Sequence, residues 1–212
     1  GLNFRYLPVT LAYRDALAAG RVGRAGMAHF HYWRNRDGRR PGINKYPLTM
    51  DQPMLLEQTI HHFDLLRFVY NQEVVSVAAR VHNPPWSMYR DDATVTALLE
   101  LEDGLLVTYV GTWAATSQRN EFFWRTDGER GALVQRELFD DLAFVADDSA
   151  EPVQLLSAPG EDYVDDTRGL LKAMVADVRD GSALAPSARD HLRSLGLCFA
   201  ALEASRTGAT VN

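Results

Sequence analysis

The middle of the chain carries a succession of strand-like segments with no helical segment between them, and this order restricts the fold more than any other feature. Six such segments follow one another, at residues 73–82, 93–102, 105–113, 120–125, 132–137 and 142–145. Asp103-Gly104 separates two of them and is a strong signal for a type I′ hairpin turn, which needs positive φ at both positions. Short connections of this kind predict a largely antiparallel meander.

Helices are predicted on both sides of this meander. Apolar periodicity, an early proline and terminal glycines predict four of them, at residues 8–19, 53–70, 165–179 and 187–207. A further strand, from Met27 to Trp33, lies between the first two helices. Because strands and helices do not alternate regularly, a doubly wound parallel sheet is excluded and the predicted fold class is α+β.

Composition limits the class of protein further. The 212 residues, 46% of them hydrophobic, suffice for one sizeable core, and no repeat or low-complexity linker marks an internal boundary. The single cysteine, Cys198, excludes an intramolecular disulfide framework. A net charge of −6 argues against nucleic acid or an anionic membrane surface as a partner. With no membrane-spanning or signal-like segment, we expect a cytoplasmic protein.

Three glycines after the first helix, Gly20, Gly23 and Gly26, are the obvious place to look for a nucleotide site. A dinucleotide fingerprint is spaced G-x-G-x-x-G, after a strand and before a helix, so that the pyrophosphate meets helix N-terminal amides. The run here has a different spacing and leads from a helix into a strand. We interpret it as a helix end and a turn, and no other stretch carries a recognisable nucleotide motif.

The helix predicted at 53–70 contains the densest group of ionisable residues. At about 100° per residue, Glu57, His61 and Asp64 fall within about 60° of one another, whereas His62 points away. Such a stripe can hold an imidazole between two carboxylates, raise its pKa and tune it for proton transfer near neutrality. His61 is therefore the candidate acid/base residue, oriented by Glu57 and Asp64.

Other interpretations of these side chains stay open. Glu57, His61 and a remote histidine could ligate the metal of a hydrolase or isomerase, although zinc sites on one helix usually use two histidines four residues apart. His61 could equally be a half-buried structural histidine whose neighbouring carboxylates cap or pair locally.

Two further groups lie on predicted strands. His29 and His31 share one strand face, where surface or interface residues are more common than metal ligands. Phe122, Phe123 and Trp124 place apolar groups on both faces of another strand. The second face needs a cover, which either the chain itself or an oligomer interface supplies.

Several motifs, taken in order, resemble the Gfo/Idh/MocA family of NAD(P)-dependent oxidoreductases, and specifically its second domain. They are N-F-R-Y-x-P at residues 3–8, L-x-E-Q-x-x-H-x-x-D-L-x-R at 55–67, P-S-A-R-D at 186–190 and A-S-R-T-G-A-T-V at 204–211. The chain departs from the commoner pattern at residues 51–53, where many members have glycines, and at Thr59, where many have Gly.

The resemblance implies an open, mostly antiparallel mixed sheet with helices packed on one face, which binds substrate and makes homo-oligomer contacts through the sheet. It implies His61 as the catalytic histidine, Glu57 in the place of a commoner Asp, and Asp64 as the matching acidic residue. In the family, NAD or NADP is bound mainly by an N-terminal Rossmann domain. That domain is absent from this chain, whose first residue is not Met, and we expect a piece of a longer protein.

Residues 1–212 are thus expected to form the single substrate-binding and oligomerisation domain of an oxidoreductase that acts on a sugar, inositol or related polyol. The polar loop 34–52 either contacts this substrate or is solvated, its candidate residues being Arg39, Arg40, Lys45 and Tyr46. We expect the isolated chain neither to bind NAD(H) nor to turn over. The alternative is a free-standing binding or assembly module that keeps the fold without catalysis.

Overall fold

The computed structural model describes residues 2–156, 161, 163–184 and 186–212. The strands within these ranges are β1 (Ala25–Trp33), β2 (Val74–His82), β3 (Thr94–Leu101), β4 (Leu106–Thr112), β5 (Glu121–Gly128), β6 (Gly131–Gln135), β7 (Leu142–Ala146) and β8 (Val153–Gln154). The α-helices there are α1 (Pro8–Ala18), α2 (Ile60–Tyr70), α3 (Asp165–Asp180) and α4 (Ala188–Thr207). None of these helices has the length and apolar character needed to cross a membrane.

The described strands form one sheet in the order β2-β3-β4-β1-β5-β6-β7-β8. Strand β1 lies in its interior, parallel to β4, with Met27 opposite Leu106, and antiparallel to β5, with Phe30 opposite Trp124. Every other neighbouring pair is antiparallel. The predicted α+β class and the open, mostly antiparallel mixed sheet are therefore confirmed, although the sequence predicted a meander and did not predict β8 or the insertion of β1.

The two faces of the sheet differ in burial. Along β1, Ala28, Phe30 and Tyr32 are buried, whereas Met27 and Trp33 on the other face are 60% and 42% exposed. Successive side chains of a strand point to opposite faces, so the alternation seen in the sequence translates directly into an inner and an outer face. The inner face holds the core against the helices, and the described helices leave the outer face uncovered.

Polar groups inside the core are paired. The hydroxyls of Tyr13 and Tyr70 lie 2.7 and 2.5 Å from Thr126 Oγ1, and Trp124 Nε1 donates to Tyr70 Oη at 3.0 Å. The Tyr13 and Trp124 rings stack with centroids 4.5 Å apart. These bonds satisfy hydroxyl and indole groups that would otherwise be costly to bury, and they join α1 and α2 to β5.

The turn between β3 and β4 is not the type I′ turn that Asp103-Gly104 predicted. The Gly104 N–H donates to the Leu101 carbonyl at 2.8 Å, and Gly104 has a φ of +80°, whereas Asp103 does not adopt positive φ. The connection is a type I turn followed by a left-handed glycine, which also joins strands in a hairpin. Only one position needs positive φ here, and glycine adopts it at no steric cost. The predicted turn at Gly20 and Gly23 is confirmed, since both have positive φ.

Candidate functional site

A polar cavity of about 330 Å³ lies beyond the ends of β1 and β4, beside the helical turns that lead into α2. Its walls come from the N-terminal turn, the continuation of β1, the polar loop and the start of the α2 segment. The lining residues are Phe4, Tyr32, Arg34, Arg36, Gly42, Ile43, Asn44, Glu57, Gln58, His61, Trp113, Leu138 and Tyr163.

Two arginines reach this cavity because the chain stays extended after β1 ends. The Arg34 N–H donates to the Thr112 carbonyl at 3.0 Å, and the Arg36 N–H donates to the Trp113 carbonyl at 3.1 Å. The alternation of β1 therefore continues past Trp33, and Arg34 and Arg36 follow Tyr32 on the inner face. The same alternation that buries Tyr32 thus delivers two guanidinium groups to the end of the sheet.

Arg36 is held against an indole ring. Its guanidinium carbon lies 4.4 Å from the centroid of Trp113, and its side chain is buried, at 7% exposure. Nη1 donates a long hydrogen bond of 3.3 Å to Tyr89 Oη, while the Tyr89 hydroxyl donates to the Arg36 carbonyl at 2.6 Å. Stacking on the ring and this pair of bonds hold Arg36 in one orientation.

The helix that carries the histidine begins with a π-helical turn, Met54–Thr59, and continues as α2. Gly111 on β4 leaves room for the Tyr109 hydroxyl and for this turn, since a Cβ there would clash with Tyr109 Oη and would lie 2.6 Å from the terminal methyl carbon of Met54. Turns of this wide type are rare and concentrate at functional sites. The turn presents Glu57 and Gln58 to the cavity, one turn before His61.

His61 lies against the ring of Phe4, with centroids 4.8 Å apart. Its Nδ1 atom is buried and has no hydrogen-bond partner among the described residues. Burial lowers the pKa of His61 from its ordinary value of 6.5 to about 4, and the charge of Asp64 opposes that shift only in part. The imidazole is consequently neutral near pH 7, in a residue that lines the cavity.

Glu57 is paired with a residue of the loop. The Tyr46 hydroxyl donates a hydrogen bond to Glu57 Oε1. Partial burial, together with that bond and the nearby carboxylate charge, raises the pKa of Tyr46 to about 12. Tyr46 is thus a neutral donor that positions the Glu57 carboxylate at the cavity wall.

Asp64 belongs to a buried ion cluster that it forms with Arg5 and Ser194. It accepts hydrogen bonds from Arg5 Nε at 2.7 Å, Arg5 Nη2 at 2.6 Å and Ser194 Oγ at 2.8 Å. The predicted arrangement, with His61 held between Glu57 and Asp64 and its pKa raised, is therefore wrong. The π turn ends before His61, so only Glu57 departs from the spacing of 100° per residue, and the nearby guanidinium of Arg5 is the stronger partner for Asp64.

His62 faces the sheet and not the cavity. Its Nδ1 lies 2.8 Å from Tyr109 Oη and its Nε2 lies 3.0 Å from Gln58 Nε2. Complete burial lowers the pKa of His62 well below its ordinary value. Both ring nitrogens are thus satisfied in the core, and His62 helps to fix the register of the helix that carries His61.

The sequence that forms this domain matches a known family. Residues 10–134 match the family model described as the GFO/IDH/MocA C-terminal domain. The chain belongs to the GFO/IDH/MocA family.

Members of the GFO/IDH/MocA family with assigned names resemble the chain along nearly its whole length. Inositol 2-dehydrogenase of Rhizobium meliloti is 26% identical, over 95% of this chain and 61% of that protein. D-apiose dehydrogenase of Paraburkholderia graminis is also 26% identical, over 99% of this chain and 57% of that protein. The chain thus spans about three fifths of the length of these relatives.

A solved structure shares the fold. The oxidoreductase from Agrobacterium radiobacter, crystallised with NAD+, L-tartaric acid and magnesium, has a TM-score of 0.85 at 19% identity, over 99% of this chain and 63% of that one. At this identity the likeness shows the fold alone.

The loop residues of this GFO/IDH/MocA domain lie differently from the prediction. Arg39 donates to Asp37 Oδ1 at 3.0 Å, and Arg40 donates to Gln118 Oε1. Lys45 Nζ donates to the carbonyls of Gly38 and Arg40, at 2.8 and 2.7 Å. None of these three cations lines the cavity. They fold the loop on itself, and Gly42, Ile43 and Asn44 form its contribution to the wall.

Arg34, Arg36 and Trp113 were missed as site residues. The available signal was the period-two pattern of β1, which continues for two further inward positions, but the charges and glycines after Trp33 suggested an irregular loop. Trp113 ends a strand, and its Nε1 is a second buried atom without a partner in the described part of the chain. Both unpartnered atoms, His61 Nδ1 and Trp113 Nε1, belong to residues of the cavity wall.

In the described ranges, no three side chains of His, Cys, Asp or Glu lie close enough together to hold the metal ion of the alternative interpretation. His29 and His31 lie on the outer face of the sheet. His29 Nδ1 lies 2.7 Å from Thr108 Oγ1, and the His31 ring stacks on Trp33 at 5.1 Å. These histidines belong to an open surface and not to the cavity.

Proposed function

We propose that this chain is the substrate-binding and oligomerisation domain of an NAD(P)-dependent oxidoreductase that acts on a sugar, inositol or related polyol. The observation that carries the proposal is the neutral imidazole of His61, a residue that lines a polar cavity and whose Nδ1 has no partner among the described residues. Family membership and the names of the two dehydrogenase relatives support the reaction class.

His61 would act on the hydroxyl that becomes the carbonyl. A neutral imidazole nitrogen accepts the hydrogen bond of such a hydroxyl, and it can take the proton as the carbon is oxidised. Its pKa of about 4 is low for a general base, because the ring is buried. Glu57, held by Tyr46, lines the same wall and would bind a neighbouring hydroxyl.

The cavity fits a polyhydroxylated substrate better than a dinucleotide. Its donors and acceptors are side chains of the strand end and the π turn, whereas the glycine run at Gly20 and Gly23 leads from α1 into β1. A pyrophosphate site needs the reverse order, in which a strand runs into a helix N-terminus. We therefore assign NAD or NADP, which supplies the hydride acceptor, mainly to residues outside this chain.

The outer face of the sheet would form the homo-oligomer. Exposed apolar side chains from adjacent strands lie there together, Met27 on β1 opposite Leu106 on β4, with Leu98 on the neighbouring β3. Large exposed apolar patches on one face mark protein interfaces.

The proposed function is tested with the protein that contains this domain. Reduction of NAD+ and NADP+ would be followed by absorbance with myo-inositol and a panel of aldoses and alditols. His61→Ala is expected to lower kcat by at least about 100-fold, the usual contribution of a positioned acid/base group. Near-native kcat in this variant would overturn the role of His61.

A second measurement uses the chain alone. Calorimetry is expected to detect no saturable NAD(H) binding to residues 1–212. In the turnover measurement on the intact protein, the control is Arg206→Gln, an exposed position on α4 whose substitution should leave kcat unchanged. Saturable NAD(H) binding to the isolated chain would contradict the assignment of the cofactor site to another part of the enzyme.

A further inference from the structure

The geometry points to a substrate that carries one carboxylate, a sugar acid or acidic polyol, with its carboxylate bound by Arg34 and Arg36. This inference rests on the proposed function, because it places the anion in the same cavity as His61. It adds the chemical class of the substrate, which neither relative's name includes.

The guanidinium groups of Arg34 and Arg36 have unused hydrogen-bond donors. A guanidinium has five N–H groups. Arg36 donates one side-chain bond, of 3.3 Å, to Tyr89, and Arg34 donates one, of 3.4 Å, to Tyr32. Within the described ranges no carboxylate lies within 4 Å of either group. Two cations at the wall of one cavity thus retain most of their hydrogen-bonding capacity.

Arg36 differs in its ion pairing from the other buried arginines of the described ranges. Arg5 has ion pairs with Asp64 and Asp190, at 2.6 and 2.7 Å. Arg67 has ion pairs with Glu73 and Asp190, at 2.7 and 2.9 Å. Burial of a cation is costly unless it is paired, and the fold meets that requirement at Arg5 and Arg67 from within the chain. At Arg36, equally buried, the described residues supply no carboxylate within 4 Å, and the carboxylate of the substrate would take that place.

The side chains that line the cavity carry a net positive charge. Arg34 and Arg36 contribute two positive charges and Glu57 one negative charge, while His61 is neutral near pH 7. The balance of one positive charge matches a single carboxylate. A phosphate carries about −1.5 to −2 at neutral pH and would leave the cavity net negative beside Glu57.

The geometry of the donors agrees with a planar anion. The contact with the Trp113 ring fixes the orientation of the Arg36 guanidinium, and therefore the plane in which its N–H groups point. A rigid guanidinium plane binds a carboxylate through two parallel hydrogen bonds.

The test compares matched ligands with the intact protein that contains this domain. The probes are D-gluconate and D-glucuronate, their uncharged counterparts sorbitol and D-glucose, and D-glucose 6-phosphate. We expect kcat/KM for a carboxylate probe to exceed that of its neutral counterpart by at least about 100-fold, the value of one buried charged hydrogen-bonded pair. Calorimetric binding of the same probes gives a readout independent of turnover.

Variants assign the effect to the two arginines. Arg34→Gln and Arg36→Gln are expected to raise KM for the carboxylate probe about 100-fold with a smaller change in kcat, since a substrate-binding contact is lost. Arg36→Lys keeps the charge but not the fork, and should lose about tenfold. Arg206→Gln is the control. Arg34 is half-buried, so Arg34→Gln remains informative if Arg36→Gln fails to fold.

The outcomes separate this inference from the proposed function. Equal kcat/KM for neutral and carboxylate probes, unchanged in Arg34→Gln, overturns the inference and leaves the proposed oxidoreductase intact. Arginine-dependent binding of D-gluconate without oxidation of any probe overturns the proposed function and retains the anion site. Preference for D-glucose 6-phosphate over D-gluconate overturns the carboxylate in favour of a phosphate. Neither binding nor turnover overturns both.

Discussion

The carboxylate of Asp64 and the guanidinium of Arg5 form a two-pronged ion pair, 2.7 Å from Nε to Oδ2 and 2.6 Å from Nη2 to Oδ1. Both side chains are almost completely buried. The pair joins the N-terminal turn to α2, and Ser194 extends it to α4. The acidic member of the histidine motif therefore anchors the helix that carries His61, and the structure favours a structural role for Asp64 over an orienting one.

The first prediction concerns this anchor. Asp64→Asn should lower the free energy of unfolding by about 1.5–3 kcal/mol, because Arg5 loses the more buried of its two carboxylate partners and keeps only Asp190. Asp15→Asn is the matched control, since Asp15 and Arg14 form an exposed pair worth less than about 1 kcal/mol. Urea denaturation of both variants measures the difference. Equal losses in the two variants would contradict the proposed anchor.

A second prediction follows from the buried imidazole of His61. Its pKa is about 4 in the folded chain and 6.5 when it is solvated. The unfolded chain therefore takes up the proton first as pH falls, so this contribution to stability is complete above pH 6.5 and is lost between about pH 6.5 and 4. We expect NMR of the imidazole carbons to show neutral His61 at pH 6. A midpoint of 6.5 or above would show that the ring is solvated or paired with a carboxylate.

The third prediction concerns Glu73. Hydrogen bonds from Arg67 and Arg193 lower the pKa of its carboxyl group from 4.5 to about 2, although partial burial opposes that shift. A depressed carboxyl pKa stabilises the fold above the unfolded value, so this contribution is lost as pH falls from about 4.5 to 2. In Glu73→Gln, unfolding free energy should depend less on pH in that window. Glu100→Gln, on the exposed surface of β3, is the control. Identical acid limbs in wild type and Glu73→Gln would refute the prediction.

Local patterns in the sequence predicted the elements well, while contacts between distant residues escaped it. The alternation of residues 27–33 identified β1, because successive side chains of a strand point to opposite faces and their burial alternates from one position to the next. Its place between β4 and β5 depends on partners about 80 and 90 residues further along the chain. No short-range pattern records such a pairing.

The site shows the same division. His61 was found from a motif on one helix, but the angle of Glu57 to His61 and Asp64 assumed regular α geometry, and the π turn that contains Glu57 changes it. Arg5, which binds Asp64, lies 59 residues earlier in the chain. Arg36 was overlooked since its inward direction depends on a hydrogen bond to Trp113, at the end of another strand.

The last prediction concerns the outer face of the sheet, where Leu98 and Leu106 are 46% and 44% exposed. If this face joins two copies, a charge there must be buried without a partner on association, which costs several kcal/mol. Leu98→Glu and Leu106→Glu should each shift the protein toward monomer in sedimentation equilibrium, with kcat measured on the same samples. Val178→Glu, 88% exposed on α3, tests an apolar position away from the sheet. Dissociation by Val178→Glu alone would transfer the interface to α3, and a monomeric wild type at micromolar concentration would refute the oligomer.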